Sequence, residues 1–240
     1  MLVVPFLFVS SALGQEAKPP KAPKIVASFE MPEKPAKPKD VGPFTTGPDS
    51  KPIEVTPEQK KKLEALAKLY GEVATKNFDL IVKTLKSTGK VPATVKIVIT
   101  YKYKGVAATA GDTIMVDPRY AIAHPDDLGM IVHEMAHVVQ GYPTYDPGWL
   151  VEGIADYVRW FFYEPTEKRP KPNPERATAR DSYQTTGAFL YWAANKYSME
   201  LVPKLHAAFQ ANTYKEDMFK QLTGKSLDEL NSEWRETLKR

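Results

Sequence analysis

Two histidines and a glutamate with the spacing of a metal site stand in the run His133-Glu134-Met135-Ala136-His137. On a helix, residues four apart lie one above the other on the same face, so both imidazoles can bind one metal ion. A carboxylate beside the first imidazole can then take a proton from a water molecule on that metal. This H-E-x-x-H spacing is typical of zinc peptidases. The alternative is a surface helix on which all three side chains are solvated.

A catalytic zinc site usually has three protein ligands, so the motif leaves one ligand to be found. A histidine in the longer pattern H-E-x-x-H-x-x-G-x-x-H is excluded, because Gln140 and Pro143 occupy the positions of its glycine and third histidine. The better candidate is Glu152, on a second helix that follows after a short loop. Two antiparallel helices joined in this way can bring Glu152 opposite His133 and His137.

One helical turn after Glu152, Asp156 falls on the same helix face. Its carboxylate can accept the outer N–H of a ligand imidazole, which orients the ring and raises its basicity. The alternative for both carboxylates is a solvated acidic face with Arg159 as a salt-bridge partner. The apolar residues that flank the segment favour the metal site.

The helix that carries the motif is apolar on nearly every side, which indicates a buried helix. Pro125, Asp126 and Asp127 are expected to open it, where the helix dipole favours acidic side chains. Histidines and a glutamate buried without partners would be costly, and a metal ion supplies a partner for all three. The other two histidines, His124 and His206, are expected to be structural, His124 as a cap of this helix and His206 without an evident partner.

The elements around the motif predict an α+β fold. Thr56 and Gln59 form a capping box before an apolar stripe of about eight helical turns, with a bend expected at Gly71. Residues 94–101 predict a strand and residues 106–116 a hairpin. We expect this small mixed sheet to pack on the metal helix and to be followed by a mostly helical C-terminal part. A strand just before the metal helix is well placed to bind an extended peptide substrate by edge pairing.

The composition limits the classes of partner and metal ligand. The chain has 33 basic and 29 acidic side chains, a net charge of +4 and a pI near 8.9. No Lys/Arg cluster is interleaved with aromatic residues, so we expect no nucleic-acid partner. The absence of cysteine excludes disulfides and thiolate ligands, so any metal must be bound by histidine and carboxylate.

Three segments are predicted along the 240 residues. Residues 1–14 are uncharged, too short to span a bilayer as a helix, and end in small residues, which predicts a cleaved signal peptide and a secreted, extracellular or periplasmic protein. An uncleaved anchor is the alternative, because the usual leading Lys or Arg is missing. Residues 15–55 are rich in Pro and Lys and predict a disordered linker, in which residues 25–29 could touch the domain. Residues 56–240 are predicted to be the folded domain.

Over about residues 57–238, the chain resembles the basic secretory protein family. The resemblance is carried by His133-Glu-Met-Ala-His137, Gln140 and the run Pro147-Gly-Trp-Leu-Val-Glu-Gly-Ile-Ala-Asp-Tyr-Val-Arg159, with Ser182-Tyr183 and Leu222-Thr-Gly-Lys225 further on. These secreted plant and bacterial proteins are classed as zinc metallopeptidases of the gluzincin-like group. The family often has an aromatic residue directly after the glutamine, where this chain has Gly141.

The resemblance implies a zincin-like fold, with His133, His137 and Glu152 as ligands of one Zn²⁺ and Glu134 as the base. The expected reaction is peptide hydrolysis, in which Glu134 takes a proton from the zinc-bound water and returns it to the leaving amine. The oxyanion needs a second donor besides the zinc. Tyr183 is the candidate for this donor.

Three alternatives stay open from the sequence. Tyr157 and Arg159 are weaker candidates for the oxyanion donor, and Tyr183 itself could be a core residue. A zinc-containing adhesion or cell-wall module without catalysis would usually close its metal site with four protein ligands and use cysteine, so the absence of cysteine and the presence of Glu134 favour an enzyme. An amidase acting on cell-wall peptides would use the same site chemistry.

Overall fold

The computed structural model describes residues 18–32 and 54–239. The predicted signal peptide and most of the predicted linker lie outside these residues. The strands are β1 (Lys24–Glu30), β2 (Thr94–Thr100), β3 (Ala107–Ala110) and β4 (Thr113–Val116). The helices are α1 (Pro57–Leu85), α2 (Pro118–Ala123), α3 (Gly129–Gln140), α4 (Gly148–Val158), α5 (Tyr183–Lys196), α6 (Leu201–Gln210), α7 (Met218–Thr223) and α8 (Leu227–Leu238). A π-helical turn, Arg159–Tyr163, continues α4, and a short 3₁₀ helix covers Thr166–Lys168.

The four strands form one mixed sheet in the order β1-β2-β4-β3. β2 pairs in parallel with β1 and with β4, whereas β3 and β4 form an antiparallel hairpin. Gly111 turns this hairpin with a φ of +59°, a left-handed conformation that glycine adopts without strain. The predicted hairpin and the α+β class, with its small mixed sheet and mostly helical C-terminal part, are confirmed.

Strand β1 lies inside the segment predicted to be a disordered linker, so that prediction is wrong for residues 24–30. Its side chains alternate between exposed and half-buried, and Ile25, Ala27 and Phe29 pack against the core. A Cβ at Gly71 of α1 would lie 3.1 Å from the Cβ of Ala27, so glycine allows α1 to approach the strand closely. The strand forms because three apolar residues at a period of two complete one buried face.

Helix α1 is the longest element and covers the sheet. Its predicted capping box is confirmed, because Thr56 accepts from the N–H of Gln59 and the Gln59 side chain accepts from the N–H of Thr56. The helix runs without interruption through Gly71, where a bend was expected. Every residue of its predicted apolar stripe is buried: Leu63, Leu66, Ala67, Tyr70, Val73, Ala74, Phe78, Ile81, Val82 and Leu85.

Helix α3, which carries the H-E-x-x-H motif, is buried at every position except His137. It begins at Gly129, later than predicted, and the acidic residues precede its first turn. Asp127 still acts on the helix start, because its Oδ1 accepts the N–H of Met130 at 3.3 Å. His124 does not cap α3; it ends the preceding helix α2 and stacks on Tyr120 with ring centroids 4.3 Å apart.

Helices α4 and α5 pack closely through two glycines. A Cβ at Gly153 would lie 2.1 Å from Cγ2 of Thr186, and a Cβ at Gly187 would lie 3.0 Å from the main-chain N of Tyr157. Because Gly153 has no side chain, it leaves room for α5 to approach α4. This contact fixes the position of α4, the helix that carries Glu152 and Asp156.

Among residues 18–32 and 54–239, no helix has both the length and the apolar character that crossing a membrane requires.

Candidate metal centre

Helices α3 and α4 bring the three predicted ligands together. The Nε2 atoms of His133 and His137 are 3.1 Å apart. Oε2 of Glu152 lies 3.0 Å from the Nε2 atom of His133 and 3.4 Å from that of His137. All three side chains are largely buried, and one potential ligand atom from each lies within 4.8 Å of the others. The group could therefore hold a metal ion.

Hydrogen bonds on the outer nitrogens define how the two rings face the centre. Nδ1 of His133 is 2.6 Å from Oδ1 of Asp156, the contact that the helical spacing predicted. Nδ1 of His137 is 2.7 Å from Oε1 of Gln140. The amide of Gln140 is itself oriented, because its Nε2 donates to the main-chain oxygen of Val151 at 2.9 Å. Since both outer partners are acceptors, both rings donate from Nδ1 and direct the Nε2 lone pair to the centre.

The donor set fits zinc. Two imidazole lone pairs and a carboxylate oxygen that converge in a buried site repel one another unless a cation lies between them. Tetrahedral zinc with bonds of roughly 2.0–2.1 Å places neighbouring ligand atoms about 3.3 Å apart. The observed separations run from 3.0 to 3.4 Å. Histidine nitrogen and carboxylate oxygen are both common zinc ligands.

The charges at the centre favour a cation as well. Burial lowers the pKa of His133, but its hydrogen bonds to Asp156 and Glu152 outweigh burial and raise that pKa to about 10. Burial raises the pKa of Glu152, but the contacts with His133 and His137 outweigh it and lower that pKa to about 2. Without a metal, the site therefore attracts a proton to the position where a cation would bind.

The acidic-face alternative for Glu152 and Asp156 is wrong. The two residues are only 8% and 4% exposed. Arg159 does not pair with either of them; its guanidinium contacts Asp127 at 2.5 Å and lies 3.9 Å from Glu164.

The centre opens onto a cleft of about 970 Å³ between β3, α3 and the loop that joins α3 to α4. Glu134 lies in this cleft beside the three potential ligands and is 6% exposed. Its Oε2 is 2.7 Å from the hydroxyl oxygen of Thr109 on β3. Buried carboxylate, potential metal site and open space are thus adjacent, an arrangement that can activate a water molecule beside a bound substrate.

Tyr183 stands at the rim of the cleft and not in the core, so the core alternative for this residue is wrong. It is 55% exposed, and its ring stacks over that of His133 with centroids 6.2 Å apart. The charge of Glu152 raises the pKa of Tyr183, which keeps its hydroxyl a hydrogen-bond donor. The weaker candidates, Tyr157 and Arg159, do not line the cleft; Tyr157 is 2% exposed.

Three polar residues of the site were not identified from the sequence as functional. Gln140 could have been found, because it stands three residues after His137 on the same helix face. Tyr145, in the loop before α4, donates its hydroxyl to Oε1 of Glu152, and Thr109 reaches Glu134 from the sheet. Neither Tyr145 nor Thr109 lies on the helix of the motif, so their spacing from it in the sequence does not predict these contacts.

His206, expected to have no partner, is buried on α6 behind the cleft. Its Nδ1 is 2.8 Å from the hydroxyl of Tyr142, which lines the cleft, and its Nε2 has no hydrogen-bond partner among the described residues. Burial lowers the pKa of His206 to about 4. The pair supports the loop that follows α3.

Comparison with known proteins identifies a family. The model of the family BSP, described as a peptidase of plants and bacteria, matches residues 63–234, which is more than half of the chain. The match includes β2 to β4 and both helices of the candidate centre and leaves β1 outside. Comparisons with curated proteins and with solved structures give no match. The chain therefore belongs to the BSP family of peptidases of plants and bacteria, which confirms the resemblance seen in the sequence.

Proposed function

We propose that this chain is a secreted, zinc-dependent metallopeptidase of zincin-like fold. The observation that carries the proposal is the convergence of His133, His137 and Glu152 on one point, with a fourth side chain, the buried carboxylate of Glu134, beside them in an open cleft. Membership of a peptidase family supports hydrolysis of peptide bonds.

His133, His137 and Glu152 would hold the ion, and Asp156 and Gln140 would orient the two imidazoles. When bound, zinc lowers the pKa of a water molecule and polarises a carbonyl group. The ligands themselves come from two helices that meet in the core, so the site is positioned by packing and not by a loop.

Glu134 carries the proton transfers. As a carboxylate it takes a proton from the water molecule that attacks the carbonyl carbon of the substrate. It then gives this proton to the leaving nitrogen as the C–N bond breaks, which returns Glu134 to its ionised form. The hydroxyl of Tyr183, at the rim above His133, donates a hydrogen bond to the developing oxyanion.

The substrate is a peptide bound in extended form along β3. Among the described residues, β3 pairs with β4 on one side only and so leaves a free edge. The same strand forms one wall of the cleft, from Ala107 to Thr109. An extended chain that adds to this edge would pass in front of Glu134. Residues 1–14 support export of the chain.

The site favours an enzyme over a zinc module without catalysis. A structural zinc site is usually closed by four protein ligands, whereas the described part of the chain offers three at this centre, which opens onto about 970 Å³ of cleft. The buried carboxylate of Glu134 neither belongs to the ligand group nor, unlike Asp156, bonds a ligand imidazole, so a purely structural site would not need it.

Metal analysis combined with a peptide library tests the proposal. We expect the purified chain to bind one zinc ion and to cleave peptides, with activity that a chelator removes and added zinc restores. Zinc bound at one equivalent without cleavage of any peptide would favour the module, and cleavage restricted to cell-wall peptides would favour an amidase. Activity that chelators leave unchanged would exclude the proposed chemistry.

A further inference from the structure

Thr109 connects the edge strand to the base. Strand β3 reads Ala-Ala-Thr-Ala, so Thr109 is its single polar side chain. The hydroxyl oxygen lies 2.7 Å from Oε2 of Glu134 and 3.0 Å from the main-chain oxygen of the same residue. Among the described residues, Thr109 is the side chain that donates a hydrogen bond to the Glu134 carboxylate.

The two distances matter because a hydroxyl has one donor and two acceptor sites. When Glu134 is ionised, the hydroxyl of Thr109 donates to Oε2. When Glu134 carries a proton on Oε2, the hydroxyl accepts that proton's hydrogen bond and turns its own hydrogen to the main-chain oxygen. Rotation about the Cβ–Oγ1 bond exchanges the two arrangements without moving a heavy atom.

We propose that Thr109 is a positioning residue that holds the Glu134 carboxylate in one place while its proton comes and goes. The inference rests on the proposed function and deepens it. A base that binds and releases a proton in each cycle needs a hydrogen-bond donor when it is ionised and an acceptor when it is protonated. A side chain that could only donate or only accept would suit one of these two states and not the other. Because Thr109 also belongs to the strand that would pair with the substrate, it fixes the base relative to the substrate-binding edge.

The test compares variants that keep or lose the hydroxyl. Thr109→Val is nearly isosteric, whereas Thr109→Ser and Thr109→Ala differ from each other by the hydroxyl alone. We expect kcat to fall by about tenfold in the valine and alanine variants, with KM changed by less than about twofold, because one hydrogen bond to a charged group is lost. The serine variant should retain most of the wild-type kcat. Zinc content should be the same in all of them.

A control and a structural measurement separate this role from a general loss of stability. Thr113→Val on β4 removes a similar hydroxyl, which donates to Oδ1 of Asp112 at 2.8 Å and does not contact the base. This variant should leave kcat unchanged. Crystal structures of the zinc-free variants should show the Glu134 carboxylate displaced in Thr109→Val and in place in Thr109→Ser.

Three results would overturn the inference. A valine or alanine variant with wild-type kcat and an unmoved carboxylate would show that the hydroxyl has no such role. A serine variant as slow as the alanine variant would show that the methyl group, and not the hydroxyl, matters. A wild-type chain that cleaves no peptide would remove the proposed function and this role together. If the Thr109 variants fail as described but the wild type cleaves peptides and Glu134→Gln does not, the proposed function stands and only the role of Thr109 is lost.

Discussion

The Nε2 atoms of His133 and His137 lie 3.1 Å apart, and neither can donate a hydrogen bond to the other in the neutral rings. Each ring already donates from Nδ1, to Asp156 in one case and to Gln140 in the other. Two lone pairs that face each other at this distance in a buried site require a cation or a proton between them. This relationship is the physical reason to expect a metal at the centre.

The third ligand can be tested by substitution. Glu152→Ala removes the carboxylate oxygen that approaches both imidazoles, so we expect zinc affinity to fall by more than about a hundredfold. Glu72→Ala, an exposed glutamate of α1, is the control and should bind zinc as the wild type does. Isothermal titration with zinc measures both. Unchanged affinity in Glu152→Ala would place the third ligand elsewhere.

Gln140 should be nearly as important for the metal as a ligand. Gln140→Met keeps the size of the side chain but loses the acceptor for His137 and the donor to the main-chain oxygen of Val151. We expect zinc affinity to fall by about 10- to 100-fold. Gln221→Met, on the exposed surface of α7, is the matched control. Equal affinity in the two variants would mean that the orientation of the His137 ring does not depend on Gln140.

His206 predicts a pH dependence of stability. The pKa of His206 in the folded chain, about 4, lies below the ordinary histidine value of 6.5, so the unfolded chain binds the proton more tightly. The contribution of His206 to the free energy of unfolding is fully present above pH 6.5 and is lost as the pH falls towards 4. The loss amounts to about 3 kcal/mol. The free energy of unfolding, measured by urea titration across this range, should fall less steeply in His206→Leu than in the wild type. The exposed His124→Leu variant should follow the wild type; parallel curves for all three chains would contradict the assignment.

The contact between α4 and α5 predicts a steric coupling. Gly153→Ala places a methyl group against Thr186, which is fully buried and cannot move away. We expect a destabilisation of about 1–3 kcal/mol and weaker zinc binding, because α4 carries Glu152 and Asp156. Thr186→Ser removes the methyl group nearest to the new one and keeps the hydrogen bond to the main-chain oxygen of Ala179, so the double variant should recover part of the loss. Strictly additive effects in thermal unfolding would show that the two residues do not collide.

The residues predicted from spacing are those that share a helical period. His133 and His137 stand four apart on α3, and Glu152 and Asp156 stand four apart on α4, so one-dimensional spacing was enough to place each pair on one face. The buried stripe of α1 and the hairpin of β3 and β4 were predicted by the same kind of local rule.

The residues that were missed depend on tertiary contacts. Thr109 reaches Glu134 only because β3 packs beside α3, and Tyr145 reaches Glu152 across a loop without a period. Strand β1 was predicted to be linker because its short apolar run lies among prolines and is stabilised by tertiary contacts, namely pairing with β2 and packing against the core. The start of α3 was predicted too early because Asp127 accepts the N–H of Met130 from a position before the first helical residue.

The most direct measurement for the central claim is the kcat of wild type and Glu134→Gln on a peptide that the wild type cleaves, with each protein loaded with one zinc ion. Glutamine has the same shape as glutamate but cannot take the proton of the attacking water. We predict a loss of at least about a hundredfold in kcat with zinc content unchanged. A zinc-loaded Glu134→Gln variant that cleaves the peptide at the wild-type rate would contradict the assignment of Glu134 as the general base.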